Sequence, residues 1–597
     1  MGRWRRVAVG SALALAAVIA GGAVVLHALV DPERVKALAR EKARTALSRD
    51  LTLGDVSVRL LPLPTIDASD VALSARDGKS AFLRAKEVDA RLDLFALLAG
   101  KTRLRTLHLE NVDLTPEGAN TPWHVDEASF SADGDWRDAS VDAKVVRNGQ
   151  ALRVKAKLAD LSRAGTPGAA TEGEVQLAFA QTQVAIKGLL PIGHSLAPTR
   201  VHVDVKSPSL GDVFAFYALE RRQSAPLEAH VDLQGAKDRL EAKNLQLTLG
   251  DARARGAFNV GTSGTPRAFD GKLAIERLDW ARAMADAGTP TPPKRDTGLA
   301  FNPDALAWPL LERLEAWDGT LDTDVGSLKL RNGVELRNAR FHFAFSGSRL
   351  EVDPVQAELL GGKGSARLRF DGEHKSVKVA FEGTGLLLER WFHERGRTIP
   401  FTGGPMNVHA DFTATGNTMR DLAASATGPV ALRMGPGAWN SKHAGDTEAL
   451  MTNAFASEGV EKVQFECVSA NLPFKAGIAR GRSMVGFKTA ASELIASGTL
   501  NLRDESIDLH GRVRAHKGVT LGLAQIAGDV KIGGHLAKPE MSIDPEATPG
   551  IIARAGAAIA TLGVSVLGTA LIEKMEPDRA DPCEKPVRKK GGAEAGR

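Results

Sequence analysis

Cysteine is nearly missing from this chain: Cys467 and Cys583 are the two in 597 residues. That excludes a disulfide-rich scaffold and a four-cysteine zinc site, leaving one bond or two free thiols. Aromatics make up 5%, with a single Tyr, and Trp123, Trp136, Trp280, Trp308, Trp317, Trp391 and Trp439 are too scattered to form a base-stacking platform. An excess of one charge is lacking too. The 77 Lys+Arg against 72 Asp+Glu leave +5, too little for a dedicated nucleic-acid binder of this length. Long apolar runs are confined to the two ends, and 25% of residues are charged, which excludes a multi-spanning membrane protein. The hydrophobic fraction of 43% excludes a disordered polyelectrolyte. A single compact core is improbable at this length, so several domains or one elongated body are expected.

The first apolar run, Val7 to Val30, is interrupted only by Gly, Ser11 and His27. A helix of about 24 residues reaches across roughly 30 Å of hydrocarbon. Arg3, Arg5 and Arg6 precede it and Asp31 and Glu33 follow, so the positive-inside rule keeps residues 1–6 cytoplasmic and places the bulk outside. A cleavable signal peptide, with Ala12-Leu13-Ala14 as processing site, is the competing reading and leads to the same compartment. The second run, Ala555 to Ile572 within residues 549–575, is predicted as an apolar helix that docks on the protein, lies in a membrane interface or spans marginally. A polar tail, 576–597, follows it.

Between the ends the dominant pattern is strict alternation, as in Val56-Ser57-Val58-Arg59-Leu60, Leu152 to Leu158 and Val377-Lys378-Val379-Ala380-Phe381. Period two predicts strands with one apolar and one wet face. Turn residues close each run, as at Gly361-Gly362-Lys363-Gly364, Asp371-Gly372 and Gly533-Gly534, and predict antiparallel meanders. Soluble helices are expected only at Asp31 to about Ser48, Pro309 to Ala316 and roughly Asp446 to Ser457, too few to hide the apolar face. The sheet must then fold on itself as a sandwich or curl into a trough whose floor is covered by a ligand. The proline-rich stretch 288–308 is the best internal boundary, separating 31–287 from 309–548.

No constellation for catalysis, metal or cofactor stands out. There is no H-E-x-x-H or C-x-x-C, Phe95 stands where a P-loop ending in Gly100-Lys101-Thr102 needs its first Gly, and Gly481-Arg482-Ser483-Met484-Val485 lacks the second Gly of a nucleophile elbow. His393-Glu394 reads as a solvated charged turn. Outside the cytoplasm Cys467 and Cys583 could be oxidised to one bond, with two reduced thiols as the alternative.

Several segments in order resemble the AsmA-like proteins of the Gram-negative envelope: Asp31 to Lys36, Arg49 to Val56, Leu92 to Lys101, Leu107 to Leu114, Pro309 to Gly319, Leu359 to Gly364, Gly416 to Leu422, Gly498 to Leu502 and Gly534 to Pro539. The chain departs from that pattern at Asn120-Thr121-Pro122-Trp123, which separates an expected Asn-Trp pair. The resemblance implies a mainly β protein, a curled antiparallel sheet forming a hydrophobic groove behind an N-terminal transmembrane helix, and a role in phospholipid transport and outer-membrane biogenesis. Val56, Val58, Leu92, Leu94, Leu107, Leu109, Val377, Val379 and Phe381 are the candidate groove floor. The expected partners are a phospholipid or other envelope lipid, the inner membrane and a periplasmic or outer-membrane protein, with no cofactor, no nucleic acid and no enzymatic step. The alternative is a structural or assembly factor of the envelope that works through protein contacts.

Overall fold

Alternating sequence becomes alternating burial. In the strand Gly362–Asp371, the residues Gly364, Ala366, Leu368 and Phe370 are half-buried, while Lys363, Ser365, Arg367 and Arg369 between them are exposed, because successive side chains of a strand point to opposite faces. The computed structural model describes residues 32–47, 49–59, 63–75, 81–93, 96, 103–115, 123–133, 135–147, 149–193, 195–216, 225–286, 300–301, 306, 308–330, 332–393, 401–440, 462–515, 529–543 and 583. The architecture is mainly β with a few short helices, and the chain divides into two units, Met1–Thr291 and Pro292–Arg597.

In the first unit the helix Pro32–Leu47 leads into the short strands Leu51–Thr52 and Val56–Arg59, both paired with Thr65–Ser74. From there each strand pairs antiparallel with the next, out to Arg267–Asp279. The helix is a correction to the expectation that helices leave the face uncovered. Ala39 and Ala43, one turn apart, are buried in a core with Val56, Ile66, Val88, Leu107 and Leu109, so the small side chains let the helix lie directly on the sheet.

The second unit repeats the meander from Trp317–Lys329 through Ser376–Leu386, continues with Met406–Thr415, Gly428–Met434 and Cys467–Lys475, and ends at Lys538–Ile543. A three-stranded sheet of Phe401–Gly403, Gly437–Asn440 and Lys462–Phe465 accompanies it. The expected helix at 309–316 is present as Trp308–Glu312 followed by a 3-10 turn Arg313–Ala316. That at Asp446 to Ser457 lies outside the described residues, as do both apolar terminal runs. Among the described residues no helix is long and apolar enough to cross a membrane.

Two turn assignments shift. Leu360 and Gly361 form the tight turn between Arg349–Leu359 and Gly362–Asp371, with φ of 49° and 79°, the left-handed pair that a two-residue hairpin matching the sheet's twist requires. Gly362 already begins the next strand. Gly533 and Gly534 are inside the strand Asp529–His535, opposite Glu540 and Pro539, and the turn follows at Leu536-Ala537.

Candidate functional site

Strand register decides whether separate apolar positions form a continuous surface, because a slip of one residue moves a whole strand's apolar set to the other side. Bulges shift the register by one residue at several places in the first unit, between Val125 and Glu127, His230 and Asp232, and Ala242 and Leu245 among them, but one row runs through unbroken. Val56, Ala68, Val88, Leu109, Ala128, Ala143, Val154, Leu177, Val184, Val205, Ala229, Leu247, Ala254 and Ile275 are successive cross-strand partners. They make one uninterrupted aliphatic row at right angles to the strands. At about 4.8 Å per strand the row runs roughly 60 Å. A second row, from Val58 through Ile66, Ala90, Leu107, Phe130, Val141, Ala156, Val175, Ile186 and Val203 to Val231, lies beside it.

How these rows are covered varies along the sheet. Near the N-terminal helix they belong to a filled core: Val56, Leu92, Leu107 and Leu109 are 9%, 2%, 2% and 5% exposed, and Val58 packs against them. Val56, Leu92, Leu107 and Leu109 are therefore core residues covered by the protein's own side chains, which corrects their assignment to an open floor, while Val58 is half-buried against them. Leu94 lies outside the described residues. Further along, Ala143, Val154, Leu177, Val184 and Val205 are only half-buried. The margins of the same strands are better covered than their middles. Val145, Leu152 and Phe179 are buried along one margin, packed against Val213 of the helix Leu210–Phe216. Ala139 and Leu158 are buried along the other, with Leu161 packed beside them. The middle of the face is thus half-buried, with Ala143, Val154, Leu177 and Val184 packed beside the better-covered margin of Val145, Leu152 and Phe179.

In the second unit Leu321, Phe343, Val352, Leu368, Val379 and Phe412 form one row, and Phe341, Val355, Ala366, Phe381, Ala410 and Val430 its neighbour. A third row, Gly319, Phe345, Leu350, Phe370, Val377 and Ala414, lines a cavity of about 590 Å³ whose surround also includes Arg349, Asp371, Ser376 and Thr415. That volume falls in the roughly 300–1,000 Å³ range of small-molecule sites. Val377 is buried, while Val379 and Phe381 are half-buried on the same face, so the three candidates of this unit share one side of one strand. Toward the unit's other end the face closes again, where Val463 and Phe465 of the small sheet pack with Met434, Phe487, Leu494 and Val530. Cys467 and Cys583 are bonded, with Cα atoms 5.9 Å apart.

The opposite face is wet and paired. Arg153 with Asp142, Lys187 with Glu174 and Arg369 with Glu351 sit 3.2, 3.3 and 2.9 Å apart; exposed pairs of this kind add little stability and chiefly favour the register. Histidines join the pattern. His202 hydrogen-bonds Asp232 at 2.7 Å, which raises its pKa, and the His230 contact lowers that of Asp204. Asp371 is held down to about 2, first by the His374 backbone N–H and then, against some burial, by the His374 ring and Arg349. Gly481 to Val485 lie inside the strand Ile478–Lys488 rather than on a strand-to-helix elbow. Arg3, Arg5, Arg6, Gly100-Lys101-Thr102 and Glu394 lie outside the described residues.

The row positions missed by inspection of the sequence are those at the half-buried middle, Val154, Leu177, Val184 and Val205 in one unit and Leu321, Phe343, Leu368 and Phe412 in the other. Alternation marks each of them within its own strand; only the pairing shows that they join. No curated protein and no solved structure matches the chain significantly. The family model described as the AsmA family matches residues 1–123 and 150–484, which take in most of both units but leave out nearly all of the strands Trp123–Ser131 and Arg137–Arg147, and the chain belongs to the AsmA family.

Proposed function

We propose that this protein is a lipid conduit of the cell envelope, anchored in the inner membrane through residues 7–30, with its bulk in the periplasm, moving phospholipid toward the outer membrane. Membership of the AsmA family supports an envelope role. The observation that carries the finer reading is the unbroken aliphatic row from Val56 to Ile275, half-buried over its middle beside better-covered margins. Each methylene kept from water is worth about 0.8 kcal/mol, so exposing a sixteen-carbon chain costs on the order of 12 kcal/mol. A continuous aliphatic floor removes most of that barrier while the head group stays wet. Such transfer makes and breaks no covalent bond. The filled cores at the start of the first unit and under the small sheet of the second restrict the lipid path to the half-covered stretches. These closed ends also suit the second reading, an assembly factor that binds protein partners.

Photo-crosslinking residues placed in turn at Arg367, Leu368 and Arg369 test the conduit. Leu368 faces the apolar side and its neighbours the wet side, so phospholipid adducts are expected at Leu368 alone. Equal labelling at all three, or none at Leu368, would sink the reading. Val379→Glu is expected to abolish lipid co-purification while Lys378→Glu leaves it intact. Unchanged lipid content in a folded Val379→Glu protein favours the assembly factor.

A further inference from the structure

On the wet face of the first unit, the adjacent strands Arg200–Ser207 and Leu227–Gly235 place His202 opposite Asp232 and Asp204 opposite His230. Elsewhere on this face acids meet mainly Lys or Arg; here they meet two imidazoles in a two-by-two checkerboard. His202 Nδ1 lies 2.7 Å from Asp232 Oδ1, and its Nε2 lies 3.3 Å from Asp204 Oδ1. The same Asp204 oxygen also contacts His230 Nδ1. With the ring proton on Nδ1 toward Asp232, the Nε2 lone pair of His202 confronts a carboxylate oxygen, and only a proton or a cation between them makes that contact favourable.

We propose that His202 Nε2, His230 Nδ1 and Asp204 Oδ1 bind a zinc-class divalent transition-metal ion, with Asp232 orienting His202. The three ligand atoms all lie within 4.8 Å of one another. Metal–ligand bonds of about 2.0–2.1 Å in a tetrahedron set neighbouring ligand atoms about 3.3–3.4 Å apart, and the His202–Asp204 separation already matches. The tighter His230–Asp204 hydrogen bond opens slightly to admit the ion. Two imidazoles and one carboxylate favour zinc, nickel or copper over the harder magnesium and calcium. The outer shell is built as well: Asp232 accepts from the far nitrogen of His202, and Asn244 Nδ2 holds the other Asp232 oxygen at 2.7 Å, the carboxylate–histidine relay that fixes a metal-binding ring. Lys187 and Lys243, next across the sheet, are drawn off by Glu174 and Glu241 at 3.3 and 3.0 Å. The two strands are joined by a long connection, residues 208–226, so an ion here clips a pair that short-range chain continuity does not hold.

The test uses the full chain in detergent, stripped with chelator. Zinc chloride is titrated calorimetrically against a magnesium chloride control, and cobalt chloride is followed by its visible absorption. Saturable uptake of zinc but not magnesium, with tetrahedral cobalt bands, is expected in the wild type and in His374→Asn, which alters a separate His-acid cluster at Asp371 and Glu373. The double variant His202→Asn, His230→Asn should lose both signals, and Asp232→Asn should weaken zinc by about 10-fold or more. If the double variant fails to fold, Asp232→Asn decides. Absence of saturable zinc binding, an affinity that Asp232→Asn or the double variant leaves unchanged, or loss of the signal in His374→Asn overturns the site.

Discussion

Glu505 shows how one side chain can organise a unit. It is 0% exposed, and its carboxylate accepts the backbone N–H of Ala300 at 2.6 Å and of Phe301 at 3.3 Å, with His535 Nε2 at 3.4 Å. Nearby, Trp308 Nε1 donates to the Gly416 carbonyl and Leu306 N–H to that of Asn417. Residues 300, 301, 306 and 308 are thus hydrogen-bonded into the second unit, although the sequence reads 288–308 as linker throughout. An orphaned buried N–H costs about 1–3 kcal/mol. Glu505→Ala is therefore expected to lower the stability of this unit by about 2–4 kcal/mol, and Glu505→Gln, which keeps one acceptor, by clearly less. Urea unfolding midpoints check it; equal losses in the two variants would show that packing, not the carboxylate, matters.

Elements in this protein are set by their ends. The helix Met419–Ser425, not among those expected from the sequence, begins at Thr418, whose hydroxyl accepts from the Asp421 N–H while the Asp421 carboxylate accepts from Thr418 N–H, a reciprocal cap. The hairpin after Gly362–Asp371 is fixed by Asp371, which accepts from His374 N–H at 3.0 Å and from Arg349 Nε at 3.1 Å. Its folded pKa, about 2, lies below the ordinary 3.8. The lowered value means that the contribution is fully present above the unfolded pKa and is lost as pH falls through the interval from 3.8 to about 2. Asp371→Asn should flatten the acid limb of thermal stability across that interval and leave its shape at neutral pH unaltered. An acid limb identical to that of the wild type would refute the cap.

At the scale of the molecule, the bond between Cys467 and Cys583, 116 residues apart in sequence, ties a residue far down the chain to the edge of a core strand. Closing a loop of that length removes many unfolded conformations, and Cys583→Ser is expected to cost about 2–4 kcal/mol. Melts of the second unit with and without reductant check this: reductant should lower the wild-type midpoint and leave that of Cys583→Ser unmoved. An unmoved wild-type midpoint would mean that the bond adds nothing.

The sequence by itself determined the class of structure. Leu152 to Leu158 and Val377 to Phe381 alternate because a half-buried strand demands it, and the helix expected at Asp31 to about Ser48 is present as Pro32–Leu47. It could not determine that Val56 and Leu109 are core while Val154 and Leu177, identical in pattern, are half-uncovered. Which face is filled depends on what folds over it, and Ala39, Ala43, Val463 and Phe465 reach the face only in three dimensions. Nor could it bring His202, Asp204 and His230 together, since their meeting rests on register across a long connection. Alternation is a property of one strand, and a floor or a ligand set is a property of many strands in register; tertiary structure alone supplies that register.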